Sequence, residues 1–301
     1  MRFAAAVFAR LALPLLLAAA LPGPAAAADA ACRTLLRDRM ALAVGLYRIE
    51  ISASHLVGQT ARARGDAERR SQLARAQDGL AELKTRLESH ATRLGSEADR
   101  ATCAAEKAPV AALDAALGVY VKTVDARWRF MQARLEQLQR LEEKAPLPGD
   151  PREADLWLQE PLARYDIWRA LAQAVTPGGE AAGALYVIGM LTRFEWDTAL
   201  ALRSAVRGGG NPRAALAAAA EDAAALRRLW PRPGSIAQEE LWKALTGIAA
   251  ALPDPRTAPV PQVEPPEGWI TWTGAWITPY GTAFTHAVPG VLKGLEDLSL
   301  E

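Results

Sequence analysis

The chain has 301 residues, 23% charged and 50% hydrophobic, with 35 Lys+Arg against 34 Asp+Glu, a balance that excludes disordered and collagen-like classes. Roughly 65 residues are alanine while β-branched residues are sparse, which favours closely packed helices over pleated strands and predicts an all-α fold. Without Arg2 and Arg10 the balance is 33 basic to 34 acidic residues, so no net charge draws the chain to a phosphate backbone and nucleic acid is excluded as an expected partner.

Residues 1–28 carry Arg2 and Arg10, an apolar stretch from Leu11 to Leu21 and the small-residue run Ala25 to Ala28, the pattern of a secretory signal peptide cleaved near Ala27 or Ala28. The expected address is periplasmic or secreted. The apolar stretch is shorter than the ~20 residues that span a bilayer, and no transmembrane anchor is expected after cleavage. Export makes a disulfide between Cys32 and Cys103 the expected state of the two cysteines. Their midpoint falls beside Gly65 and Asp66, so a hairpin turning there brings both to one end. Lipidation of Cys32 is the competing reading, and Asp29 stands where a lipoprotein signal carries an aliphatic residue.

Residues 29–145 read as an elongated, heptad-patterned helical hairpin or three-helix unit. Leu36, Met40, Ala43 and Tyr47 share one face of a helix over 33–60, widened by Leu35, Leu42, Leu46 and Ile49. Leu73, Ala76, Leu80, Leu83, Leu87, His90 and Leu94 draw a second seam. Leu117, Val121, Val124, Trp128, Met131, Leu135 and Leu138 draw a third, alternating steps of four and three as coiled coils do. Helices of ~35 residues rise about 50 Å, which makes this unit a rod.

Pro146, Pro148, Gly149 and Pro151 end that unit. Residues 146–252 are expected to form a second bundle of shorter helices, at 151–175 with a kink at Pro161, 179–206, 212–229 and 236–251. Asp150 with Glu153, and Ser235 with Gln238, form capping-box patterns at two of their starts. Residues 253–268 hold Pro253, Pro255, Pro259, Pro261, Pro265 and Pro266, a composition that stiffens a chain into an extended linker. The aromatic segment 269–301 follows, with Trp269, Trp272, Trp276 and Tyr280 close together and a final short helix expected over 288–300. Two roles fit that cluster: docking the tail onto the bundle, which is the simpler one, or lining a groove that stacks on a flat ligand, a sugar face or a partner.

Catalytic motifs are missing. No H-E-x-x-H, paired C-x-x-C or C-x-x-C-H is present, so neither metal nor haem, nor any other cofactor, is expected. His90 sits among leucines, where a neutral, hydrogen-bonded core histidine is the simpler reading; His55 and His286 meet it only if the fold brings them there. Gly208, Gly209 and Gly210 precede a helix, yet a helix comes before them where a P-loop has a strand, which favours a helix stop and cap over a phosphate cradle. Glu195 and Asp197 point ~200° apart on a helix and are expected on a solvated or ion-paired face, with Phe194 and Trp196 turned inward. Arg62, Arg64, Arg69 and Arg70 read as a solvated hairpin tip. The expected function is therefore a non-catalytic helical-bundle module of the cell envelope, engaging an envelope protein partner or its own second copy through helical faces. The alternative is a soluble binding or sensing module for an apolar or sugar-like small ligand. An enzyme is expected only if His55, His90, Glu195 or His286 converge in one pocket.

Overall fold

A computed structural model describes residues 30–62, 66–94, 107–141, 150, 152–175, 180–229, 241, 243–244, 247, 262–264, 269–271 and 289–297. Residues 1–28, Cys103, Trp272, Trp276, Tyr280 and His286 lie outside the described residues, and of the Cys32, His55 and Trp269 side chains nothing is described.

The fold is all-α, with one short ribbon. Helices α1 (Ala30–Arg62), α2 (Asp66–Leu94) and α3 (Lys107–Arg140) pack against one another, each presenting its apolar seam inward. Leu117, Val124, Met131, Leu135 and Leu138 of the α3 seam are buried, as are Ala76, Leu80, Leu83 and Leu87 of α2. The α1–α2 approach is close because two glycines permit it. Gly45 lies against the His90 ring, where a Cβ would come within 2.5 Å of Nε2, and Gly79 lies against Leu56, where a Cβ would come within 2.7 Å of Cδ1.

Helix α4 (Arg152–Ala174) packs on α3, α1 and α5 (Glu180–Arg207), and α5 in turn carries α6 (Pro212–Leu229). Asp150 caps α4 by accepting the Arg152 backbone N–H at 2.9 Å, which satisfies one donor of the open first turn. Helix α4 continues through Pro161, which is buried within it and leaves one intrahelical donor missing. Gly208 and Gly209 take φ of 71° and 79°, the left-handed turn that ends α5, and Asn211 Oδ1 then accepts the Ala214 N–H at 3.2 Å to start α6. That short glycine run is a stop and a cap. One contiguous apolar core runs from Leu35 of α1 to Leu295 near the C-terminus, with Trp168, Tyr120 and Phe194 among its largest buried side chains. Among the described residues no helix is long and apolar enough to cross a membrane.

Within the proline-rich stretch, β1 (Gln262–Glu264) pairs antiparallel with β2 (Trp269–Thr271), Val263 opposite Ile270 and Glu264 opposite Trp269. The linker thus carries a strand where an extended spacer was expected, and β1 packs against α5. Residues 289–296 are helical and return to the first helix: Val291, Leu292 and Leu295 are buried, and Arg48 of α1 forks onto Glu296 with bonds of 2.5 and 2.9 Å. Burial, and not the exposed ion pair, holds this end. Leu295→Ala is expected to lower unfolding free energy by roughly 2–5 kcal/mol, whereas Glu296→Ala should cost less than about 1 kcal/mol. Urea midpoints of the two variants check this ordering.

Candidate functional site

The densest chemistry of the described residues is inside the bundle. Glu50 of α1 is buried and receives two donors from different helices. Tyr120 of α3 donates its hydroxyl to Oε2 at 2.6 Å, and Arg164 of α4 donates Nη1 to Oε1. Arg164 also donates Nη2 to Glu195 of α5, while its guanidinium stacks over the Tyr47 ring with 4.4 Å to the centroid. Three helices therefore meet at one guanidinium, and α3 joins them through the Tyr120 bond to Glu50. A second buried pair lies nearby on the same elements, Arg127 of α3 with Glu160 of α4 at 3.1 Å, and a third joins Arg39 of α1 to Asp114 of α3 at 2.8 Å.

Electrostatics follow from that placement. Burial works against the Arg164 charge, yet Glu50, Tyr47, Glu195 and Tyr120 together outweigh it and hold the guanidinium well above its ordinary value. Burial, followed by the Glu195 charge, pushes the Tyr47 phenol well above its usual range; burial and then Glu50 do the same for Tyr120. Both phenols stay neutral and act as donors or ring faces. Within the cluster each charge is answered by a partner on another helix. It orders the bundle.

The sequence-derived candidates distribute unevenly. Trp269 occupies β2, and its neighbours Trp272, Trp276 and Tyr280 are outside the described residues, so their convergence is undescribed. Glu195 and Asp197 point to different helices, as helical geometry requires: Glu195 to Arg164 of α4, Asp197 into the α5–α6 contact. Asp197 is 2% exposed, so the ion-paired reading applies to Glu195 and no solvated one applies to Asp197. Phe194 is buried and Trp196 half-buried. Arg69, expected in a solvated tip, is buried at the start of α2 because its position faces the hairpin interior. Among the described residues no group of three His, Cys, Asp or Glu is placed to hold a metal ion.

His90 is half-buried against Gly45, and its buried Nδ1 makes no hydrogen bond among the described residues, in contrast to the bonded histidine expected. Burial first, then Arg93 and Arg86, holds its imidazole below the ordinary value and keeps it neutral. The unfolded chain takes up a proton below about pH 6.5 that the folded chain refuses, so stability falls as pH drops from there through the lowered folded value. His90→Leu should remove that part of the acid sensitivity, read as a smaller loss of urea midpoint between about pH 7.5 and about pH 5.

An open groove of about 320 Å³ lies between α2 and α3, lined by Leu80, Ala81 and Leu135 with Trp128, Gln132, Lys84 and Glu136 at its sides. Trp128 donates Nε1 to the Leu80 carbonyl at 2.9 Å, which turns the polar edge of the indole inward and fixes the ring. Lys84 Nζ sits 5.2 Å from its centroid. Sequence periodicity places Trp128 in the α3 seam, but α2 offers Ala81 there and leaves the ring half-open. No family model, curated protein or solved structure matches the chain.

Proposed function

We propose that this chain is an exported, non-catalytic helical module of the cell envelope that engages a partner protein, and that the α2–α3 groove receives an amphipathic helix of that partner. The observation that carries the reading is the fixed, half-open Trp128 ring over an apolar floor of Leu80, Ala81 and Leu135. Aromatic anchors of low conformational freedom are the side chains that dominate protein interfaces. Lys84 and Glu136 stand on opposite lips, so a partner helix with an apolar ridge flanked by an acid on one side and a base on the other matches the groove. The secretory-type leader pattern supports the address. The buried ion pairs support a structural role for the bundle's charges, since each answers a partner across helices.

Photo-crosslinking from Ala81 and Gln132, with Leu162 of α4 as an exposed control outside the groove lining, tests this in the cell envelope. One discrete adduct from both groove positions, absent from the control and abolished by Ala81→Arg placed with the Gln132 crosslinker, is the expected result. An adduct of twice the chain mass replaces the partner by a second copy. No adduct, together with thermal stabilisation by a small apolar or sugar-like compound, overturns the reading in favour of a ligand-binding module.

A further inference from the structure

We infer that proton uptake by His90 unseats the last turns of α2 from α1, and that the α2–α3 groove then loses its fixed Trp128 ring, so that an occupant of the groove leaves in acid. The release of an occupant rests on the partner reading given above; the opening of α2 does not.

The His90 seat is tight on one edge of the ring and dry on the other. A Cβ on Gly45 of α1 would come within 2.5 Å of Nε2 and 2.8 Å of Cε1, so that edge lies on the α1 main chain. Nδ1 is buried and makes no hydrogen bond among the described residues. A neutral imidazole carries one N–H and an imidazolium two, so the charged ring presents a donor at Nδ1 that this seat leaves unanswered. A buried, unanswered donor on a charged group disfavours the seated state. The surrounding charges do not favour it either. On α2, Arg93 and Arg86 flank the ring and add to burial in holding its imidazole below the ordinary value. The acids of the elements packed here are engaged: Asp114 of α3 with Arg39, Glu50 of α1 with Arg164 and Tyr120, Glu296 with Arg48, and Glu82 and Glu88 of α2 with Arg86 and Lys84. Asp38 of α1 stands two turns from Gly45 and is exposed, as is Lys122 of α3.

That end of α2 is lightly fastened. Between Leu83 and Arg93 the buried side chains are Leu83 and Leu87, and the ion pairs Arg86–Glu82 and Lys84–Glu88 stay within the helix. A segment with few buried apolar contacts opens before the whole domain does. The groove depends on the same helix. The Leu80 carbonyl accepts the Trp128 Nε1–H at 2.9 Å, and Leu80, Ala81 and Lys84 form the α2 wall. Leu80 lies about 15 Å along the helix from His90, so an α2 that lifts at His90 draws the acceptor away from the indole. The preference for the seated state is complete above about pH 6.5 and is lost as pH falls from there through the lowered value of the seated ring. By linkage, an occupant that needs α2 in place and a proton on His90 oppose each other.

Amide hydrogen exchange of the full chain between about pH 7.5 and about pH 5 tests the opening, read as the rate of residues 83–93 relative to α5 amides. That ratio should rise by roughly tenfold for each unit by which the seated ring's value lies below the ordinary one, and the Trp128 indole N–H should lose protection in step. In His90→Gln, which is neutral throughout, the ratio should stay constant. A constant ratio in the unmodified chain overturns the inference, and so does an equal rise in His90→Gln. Should that variant fail to fold, the His90 Cε1–H titration of the unmodified chain decides: a ring that titrates while the Trp128 indole resonance stays in place overturns the coupling to the groove. The release has its own readout. The adduct crosslinked from Gln132 should fall in acid in the unmodified chain and hold in His90→Gln. An adduct indifferent to pH while α2 opens overturns the release. No adduct at either pH rejects the partner reading, while a rising exchange ratio still supports the unseating of α2.

Discussion

Arg164→Met lowers the unfolding free energy by about 3–5 kcal/mol, a large part of the roughly 5–15 kcal/mol that holds an ordinary domain folded. The substitution roughly keeps the volume and removes the guanidinium bonded to Glu50, so the cost is that of a buried carboxylate that loses a charged partner. Tyr120 keeps its bond to Glu50 Oε2 but cannot neutralise the charge. Glu195 is less affected, being 17% exposed and open to water. Converting the set together, as Glu50→Met with Tyr120→Phe and Arg164→Met, should recover most of the loss, because the carboxylate and its two donors leave the core together. Urea unfolding of the single and triple variants checks both directions, and a single variant as stable as the parent would rule out a buried, charged Glu50.

Oxidised Cys32–Cys103 is the second expected result, worth on the order of 4 kcal/mol for a closed loop of roughly 70 residues. The helical register argues for it in a way composition alone does not. Gly45 meets His90 and Gly79 meets Leu56, and both pairs are centred between Ala67 and Glu68. Cys32 and Cys103 are centred on that same point in the sequence, the relation that an antiparallel pairing of the two asks for. Intact mass under non-reducing conditions should be lower by two hydrogens than after reduction, with a large fall in urea midpoint on reduction and in Cys32→Ser. Two free thiols in the exported chain would refute the pairing.

Helix placement was legible in the sequence because this chain punctuates with glycine and proline. Gly208 to Pro212 separates α5 from α6, Asp150 caps α4, and apolar steps of three and four mark the buried faces of α1, α2 and α3. Partner choice across helices was not legible, since it depends on how those faces meet. Glu50, three residues beyond Tyr47 on the α1 face, and Arg127, three beyond Val124 on α3, stand at core spacing, and a charge at core spacing is the signal that a buried ion pair exists. Which acid meets which base needs tertiary structure. Trp128 shows the reverse: periodicity marks it as core, and the small Ala81 opposite it makes it the side of a groove. The ribbon of β1 and β2 pairs two strands of three residues each, too brief for alternation to reveal.

The return of residues 289–296 to α1 bears on how the chain reaches its folded state. Arg48 and Glu296 are 248 positions apart, and the apolar contacts of Val291, Leu292 and Leu295 close the longest span described in the molecule. Loop closure over such a distance has little local structure to assist it, so these turns dock after the helices they rest on have formed. A chain emerging from a ribosome or a translocation pore cannot finish its core until residues 289–296 are free, since Val291, Leu292 and Leu295 belong to it. Until then Arg48 of the first helix waits for Glu296.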